Sequence, residues 1–180
     1  MSGVVHPRLV VVGPPGAGKT TVGLLLARRW GLTFRDTDQD VEDQVGKPVS
    51  DIFVDDGEAA FRRLEAAAVI AALTSQEGVL ALGGGAVLDP STRAALAGQH
   101  VAFLDVGLAE ASSRVGLGVT RPLLLGNVRS QLKALLDARR PLYREVATVT
   151  VLTDRRPVEE VADAVERELA ALGSSEASSG

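Results

Sequence analysis

The sequence contains no cysteine, which excludes disulfides, thiolate zinc sites and cysteine nucleophiles together. No uncharged run reaches the roughly 20 residues that a membrane-spanning helix requires. The first residues also lack the basic start and apolar stretch of a secretory leader. These absences predict a cytoplasmic protein that does not enter a membrane.

The chain also lacks a block of basic residues long enough to follow a nucleic-acid backbone. Its formal net charge is −4, from 19 basic and 23 acidic residues, so it has no general attraction for nucleic acid or an anionic membrane. Any anionic ligand must therefore be held by positive charge placed locally. A length of 180 residues and a hydrophobic content of 46% predict one domain that forms its core alone, and hence a monomer.

Short apolar runs alternate with longer helical patterns, which is typical of βαβ units around a parallel sheet. The run at 9–12 is continuously apolar, as expected of a strand buried on both faces. Similar runs predict strands at 79–82, 101–104 and 148–152. Helical spacing predicts helices at 20–29, 58–73 and 158–172.

The domain boundaries follow from the loop-like segments. Residues 116–127 contain glycines and a proline between two helical patterns, which predicts a mobile lid. Residues 173–180 are rich in serine and glycine and predict a flexible C-terminal tail. We therefore expect a single domain over residues 1–172.

Residues 13–20, Gly-Pro-Pro-Gly-Ala-Gly-Lys-Thr, match the pattern G-x-x-x-x-G-K-[ST] between a predicted strand and a predicted helix. Glycines let successive backbone N–H groups surround an anion, and the following helix adds the positive end of its dipole. In such a loop Lys19 reaches the β- and γ-phosphates, and the Thr20 hydroxyl binds Mg²⁺. The motif predicts a nucleoside triphosphate site.

The rest of the chain limits the reaction. A guanine-reading Asn-Lys-x-Asp motif is absent, because the only asparagine is Asn127. The chain is also short for an ATPase that carries coupling machinery. A small, self-contained phosphoryl transferase fits the length best.

Two carboxylates, Asp36 and Asp38, follow a short apolar run. Side chains two residues apart in extended backbone share one face, and ligands of open α/β sheets bind at the carboxyl ends of the strands. One carboxylate can orient metal-bound water while the other accepts a hydrogen bond from an attacking hydroxyl. The alternative is helix capping, since Asp38 precedes a plausible short helix.

Three further segments carry candidate acceptor-binding groups. Arg62 has Glu58 and Glu65 at helical spacing, which can brace its guanidinium for a carboxylate ligand, or can form a solvated ion-pair surface instead. The three glycines at 83–85 follow a predicted strand and indicate a close approach to the backbone, with a plain flexible turn as the alternative. Arg121 in the lid can close over a γ-phosphate, and Arg139 is a second candidate cation for the acceptor.

Together these segments resemble the shikimate kinases, small P-loop kinases of the nucleoside-monophosphate-kinase-like group. The resemblance covers about residues 9–172. It rests on an ordered set of motifs: GPPGAGKTT (13–21), DTD (36–38), DIF (51–53), DGE..FRRLE (56–65), LGGGAV (82–87), RPLL (121–124) and RRPLY (139–143).

The resemblance implies transfer of the ATP γ-phosphate to the 3-hydroxyl of shikimate, on the route to chorismate and the aromatic amino acids. It implies a three-layer α/β/α fold with a five-stranded parallel sheet of order 2-3-1-4-5, a helical substrate-binding region and a lid. The implied ATP-binding residues are Gly16, Ala17, Gly18, Lys19, Thr20 and Thr21 at the phosphates, Arg121 from the lid, and Arg114 and Arg156 near the adenine. The implied Mg²⁺ ligands are Thr20 and, through water, Asp36, and the implied shikimate-binding residues are Asp38, Arg62, Gly84 and Arg139.

The family pattern also selects Arg139 over Arg140, because its arginine stands two residues before Pro-Leu-Tyr. Asp38 resembles the family aspartate that contacts the acceptor hydroxyls and serves as a candidate base. Lys19, Asp38 and Arg121 are therefore the expected catalytic groups.

Other functions stay open on the residues alone. A kinase of another polyol acid, such as gluconate, would use a related scaffold. A nucleoside monophosphate kinase would need a surface for a second base, and the sequence offers no candidate for it. A regulatory module that only binds nucleotide is a third possibility, although it has no need for Lys19, Asp36, Asp38 and Arg121 together.

Overall fold

The apolar run Leu9–Val12 forms strand β1, and all four of its residues are buried. The computed structural model describes residues 3–116 and 125–178, and describes side chains at all of these except 115–116 and 125–128. The remaining strands are β2 (Phe34–Asp36), β3 (Val79–Ala81), β4 (Val101–Asp105) and β5 (Val149–Leu152). All pairings are parallel and the order is β2-β3-β1-β4-β5, which confirms the expected sheet.

Helices connect the strands and cover both faces of the sheet. They are α1 (Lys19–Trp30), α2 (Thr37–Val45), α3 (Val49–Asp56), α4 (Glu58–Leu73), α5 (Pro90–Ala95), α6 (Leu108–Gly116), α7 (Leu125–Val146) and α8 (Val158–Ala177), with a short 3₁₀ turn at Ala86–Leu88. Among the described residues, none of these helices combines the length and the apolarity needed to span a bilayer.

Alternate residues of β1 point into two different apolar clusters, because successive side chains of a strand face opposite ways. Leu9 and Val11 pack into a cluster with residues of α1 and α8. Val10 and Val12 pack into a second cluster, which includes residues of α4 and Tyr143 of α7. A third, smaller cluster joins α2, α3 and α4 through Val41, Ile52, Phe61 and Ala68. This third cluster holds α2, α3 and α4 together.

One predicted boundary is wrong. Helix α8 continues to Ala177 and does not end at Leu172, so the predicted tail at 173–180 begins as helix. Leu169 and Leu172 pack against the first cluster, and the Ser174 hydroxyl donates to the Ala170 carbonyl within the helix. Of the predicted lid at 116–127, residues 117–124 lie outside the described residues, and Arg121 is among them.

Candidate active site

The phosphate-binding loop joins the end of β1 to the start of α1 at the carboxyl end of the sheet. Gly16 and Gly18 have φ of 81° and 86°, in the left-handed region that favours glycine. Gly18 precedes α1 without a capping side chain, and the first turn of α1 has no acidic residue. The N–H groups and the positive dipole end of α1 are therefore left for an anion.

Lys19 folds back over this loop. Its Nζ donates to the carbonyl oxygens of Gly13, at 2.7 Å, and Pro14, at 3.1 Å. Burial lowers the pKa of Lys19 to about 8, although the charges of Asp38 and Asp36 act in the opposite direction. The ammonium thus sits in a poorly solvated position, where an anionic ligand would stabilise it.

Asp36 ends β2 and caps α2. Its Oδ1 accepts the Asp38 N–H at 2.9 Å, and its Oδ2 accepts a hydrogen bond from the Thr20 hydroxyl at 3.4 Å. Because α2 begins at Thr37, the expectation that both aspartates project from one extended segment is wrong. The capping role falls to Asp36 and not to Asp38.

Asp38 lies in the first turn of α2, at the carboxyl end of the sheet. Burial raises the pKa of its carboxyl, the charge of Asp36 raises it further, and Lys19 opposes both. A Cβ on Gly83 would overlap the Asp38 carboxylate and would lie 2.7 Å from Glu65 Oε2. The absence of a side chain at Gly83 therefore lets two carboxylates approach the end of β3.

Arg62 is braced as its spacing predicts. Its Nη1 donates to Glu65 Oε1 at 2.7 Å, and its Nε lies 3.5 Å from Glu58 Oε1. The Glu65 side chain is only 3% exposed, so its pair with Arg62 is not part of a solvated surface, whereas Glu58 is exposed to solvent. The guanidinium also lies over the rings of Phe61 and Phe53, with its Cζ 5.4 and 5.8 Å from their centroids.

The three glycines lie where the charged side chains converge, which confirms the predicted close approach and rules out a plain flexible turn. A Cβ on Gly85 would collide with the Arg62 guanidinium. A Cβ on Gly84 would lie 3.2 Å from Pro15 Cδ of the phosphate-binding loop and 3.6 Å from Arg139 Nη1. The acceptor-side groups thus meet directly beside the phosphate-binding loop.

Arg139 and Arg140 differ in their partners. Arg140 pairs with Asp105 at the end of β4, with 3.2 Å between Nε and Oδ1. Arg139 forms no salt bridge with any carboxylate of the described residues, and its Nη1 lies beside Gly84. Arg139 is therefore the arginine whose charge is available to a ligand.

Arg114 and Arg156 lie beside the phosphate-binding loop. Arg114 donates to the Gly16 carbonyl at 2.7 Å and pairs with Glu110 at 3.0 Å. A cavity of about 290 Å³ opens beside them, lined by residues that include Ala17, Thr21, Arg114, Thr153, Arg156 and Val158. The two arginines expected near a nucleobase thus share one cavity next to the loop.

Sequence reasoning missed two residues of this region, Phe53 and Tyr143, although both lie in quoted motifs. Phe53 stacks against Phe61 at 4.8 Å between centroids and contacts Arg62. The Tyr143 hydroxyl donates to the Gly84 carbonyl at 2.6 Å. One signal was present: the chain has only 1 tyrosine, and it follows Arg139 by one helical turn.

The phosphate-binding loop and the arginine-rich pocket lie at the same end of the sheet, and this arrangement is typical of a P-loop phosphotransferase. The model of the shikimate kinase family matches residues 15–170. The chain therefore belongs to the shikimate kinase family, whose members are phosphotransferases with an alcohol group as acceptor.

Individual relatives agree with this assignment. A shikimate kinase of Thermobifida fusca (strain YX) is 55% identical over 168 residues, which cover 93% of this chain and 98% of the relative. The structure of shikimate kinase from Acinetobacter baumannii in complex with shikimate matches with a TM-score of 0.85 and 34% identity, over 93% of this chain and 94% of that one. A gluconokinase structure from Sinorhizobium meliloti 1021 matches with a TM-score of 0.62 at 24% identity, over 99% of each chain, and shares the fold alone.

Proposed function

We propose that this chain transfers the γ-phosphoryl group of ATP to the 3-hydroxyl of shikimate, giving shikimate 3-phosphate and ADP. The observation that carries the proposal is the convergence of Asp38, Arg62, Arg139 and the three glycines immediately beside Lys19 and the phosphate-binding loop. The arginines there can bind the carboxylate of a small acid, and the Asp38 carboxylate can accept hydrogen bonds from its hydroxyl groups.

On the nucleotide side, the backbone of residues 16–21 and Lys19 hold the phosphates, and the cavity beside Arg114 and Arg156 takes the adenosine. Arg121, outside the described residues, is proposed to reach the phosphates from the lid. Thr20 and Asp36 offer hydroxyl and carboxylate oxygens to Mg²⁺, an ion that keeps several waters and needs few protein ligands. No cluster of three or more metal-ligating side chains lies in 3–116 or 125–178, which suits an ion held mainly by phosphates and water.

When bound, Mg²⁺ would neutralise phosphate charge during transfer. On the acceptor side, Arg62 and Arg139 grip the carboxylate of shikimate. Arg62 donates one N–H to Glu65, which leaves further guanidinium N–H groups for a ligand carboxylate. The backbone at Gly84 allows the ring to approach closely.

In the transfer step, the 3-hydroxyl oxygen forms a bond to the γ-phosphorus while the bond from that phosphorus to the β–γ bridging oxygen breaks. The electron pair of the broken bond stays on ADP. Asp38 accepts the hydroxyl proton. Burial and the charge of Asp36 raise the pKa of Asp38 and so increase its affinity for this proton. Lys19 stabilises the charge on the phosphate oxygens.

A coupled assay of ADP release tests the proposal. The purified protein is given Mg-ATP alone and then with shikimate, gluconate or nucleoside monophosphates in turn. We expect acceleration by shikimate only. Acceleration by gluconate or by a monophosphate would assign another kinase activity, and no acceleration by any acceptor would favour a nucleotide-binding module. The monomeric state and cytoplasmic location also stay predictions, and light scattering checks the first.

A further inference from the structure

Tyr143 connects the core to the acceptor pocket. Its ring is 1% exposed and belongs to the second apolar cluster, where it stacks on Phe103 of β4 with 5.0 Å between centroids. Its hydroxyl reaches the pocket and donates to the Gly84 carbonyl at 2.6 Å. The residue therefore has a buried anchor at one end and a polar contact at the site at the other.

The Arg139 guanidinium lies beside the same glycine as the Tyr143 hydroxyl. Its Nη1 is 3.6 Å from the position that a Cβ on Gly84 would occupy, and Arg139 precedes Tyr143 by one turn of α7. The hydroxyl and the guanidinium therefore meet at Gly84, where the hydroxyl can constrain the arginine side chain in addition to the helix backbone.

The contact with Gly84 sets the orientation of a peptide plane. The Gly84 carbonyl and the Gly85 N–H belong to one trans peptide, so they point in opposite directions. Because the carbonyl is held on Tyr143, the N–H is directed away from it. Among the described residues, neither the Gly84 N–H nor the Gly85 N–H has a hydrogen-bond partner, so both donors are free for a ligand.

We propose that Tyr143 is a positioning residue for acceptor binding, whose hydroxyl orients both the Gly84–Gly85 peptide and the Arg139 guanidinium toward the acceptor's carboxylate. The inference rests on the proposed function. Tyr143 does not touch the transferred phosphoryl group, so its contribution belongs to acceptor binding and not to turnover.

The test is Tyr143→Phe, which keeps the ring and its stacking and removes only the hydroxyl. We expect the KM for shikimate to rise about fivefold, as for the loss of one neutral hydrogen bond, with kcat within about twofold and the KM for ATP unchanged. In an Arg139→Ala background the same change should raise that KM by a smaller factor, because one of its two targets is gone.

Phe103→Leu is the matched control. It removes the stacking partner and leaves the hydroxyl in place, so it should lower the melting temperature without changing the KM for shikimate. An unchanged KM in Tyr143→Phe, or an equal rise in Phe103→Leu, would overturn the positioning role. Wild-type protein that ignores shikimate would overturn the proposed function, and this inference with it.

Discussion

The phosphate-binding loop and the acceptor pocket lie side by side but are built in different ways. The loop is one continuous segment, 13–18, whose donors are backbone N–H groups at the start of α1. The pocket takes charged side chains from α2, α4 and α7 and brings them against the glycines that follow β3. Backbone donors need only the right turn, whereas the pocket needs several distant segments to be correctly folded.

The two regions also differ in electrostatics. Within the pocket, burial raises the pKa of Asp38 and of Glu65, which means that the fold disfavours their charged forms. Charges held in this way favour ligand binding at the expense of stability. Removing the charge of Asp38, which has no salt bridge among the described residues, should therefore impair activity and at the same time stabilise the protein without ligand.

Lys19→Met should have the largest effect. We expect turnover to fall about 10³-fold, because the charge that stabilises the phosphates is lost. The pKa of Lys19 is lowered from its ordinary value of 10.5 to about 8. Above pH 10.5 the amine is neutral in the folded and unfolded states, and burying it carries no charge penalty. The stability of the folded state falls as the pH is lowered from 10.5 to about 8, because only the unfolded state gains the proton readily. At pH 7 the ammonium thus destabilises the fold, so the variant should gain about 1 kcal/mol in the free energy of unfolding, measured in urea.

Lys133→Met is the control for this prediction, since Lys133 is exposed and pairs with Asp137 along α7. It should change neither turnover nor stability by much. Near-normal turnover in Lys19→Met would contradict the assignment of the phosphate-binding loop.

Asp38→Asn should lower kcat about 10²-fold, because the amide cannot accept the hydroxyl proton. Because the pKa of Asp38 is raised, the folded state favours its protonated form. This form stabilises the fold at low pH, and the contribution is lost as the pH rises through the pKa of the folded state. The variant should therefore be slightly more stable at pH 7. Asp43→Asn, on the exposed side of α2, serves as control, and a kcat close to wild type for Asp38→Asn would reduce Asp38 to a binding group.

Arg62→Ala should raise the KM for shikimate about 30-fold and leave the KM for ATP unchanged, because a charge-assisted contact to the carboxylate is lost. Arg63→Ala is the matched control, since the neighbouring Arg63 is exposed on the same helix. Steady-state kinetics with each substrate varied in turn make the measurement. Equal effects of the two changes on the KM for shikimate would contradict the role of Arg62, and a matching rise in the KM for ATP would contradict the separation of the site into two halves.

The pH dependence comes last, since between about pH 8 and 9.5 its effect should be no larger than the roughly 30-fold effect of Arg62→Ala. In the free enzyme Lys19 loses its proton above about pH 8, so kcat/KM for ATP should fall about tenfold per pH unit beyond that point. In Lys19→Arg the guanidinium stays charged, and this limb of the profile should disappear. A flat profile up to pH 9.5 in the wild type would show that the lysine keeps its ordinary pKa.

Most of the fold could be predicted because its signals are local. The run at 9–12 and the glycine-rich loop after it define the centre of the sheet, and the helix predicted at 58–73 is observed at Glu58–Leu73. The start of α2 was misjudged because β2 has only three residues, so Asp36 serves as strand end and cap together. The end of α8 was misjudged because serine and glycine suggested a tail, although the helix continues through them to Ala177 from the partly buried Leu169 and Leu172.

The site could be predicted only where one residue type implies its chemistry. Lys19 and Asp38 stand out by motif, and Arg62 by the spacing of its partners. The contacts of Tyr143 with Gly84 and Phe103 join segments far apart in the chain, and local sequence patterns do not indicate such contacts. For the same reason, the burial of Glu65 became visible only in three dimensions.

The order of the strands in the sheet determines when they can pair as the chain is synthesised. Strand β1 is the first to leave the ribosome, yet it lies at the centre of the sheet, and its partners β3 and β4 begin only at Val79 and Val101. Such distant pairings form late, since the intervening chain must first lose much of its freedom. The glycine-rich loop after β1 therefore gains its final shape, and with it the ability to hold a nucleotide, only after β3 and β4 have been synthesised.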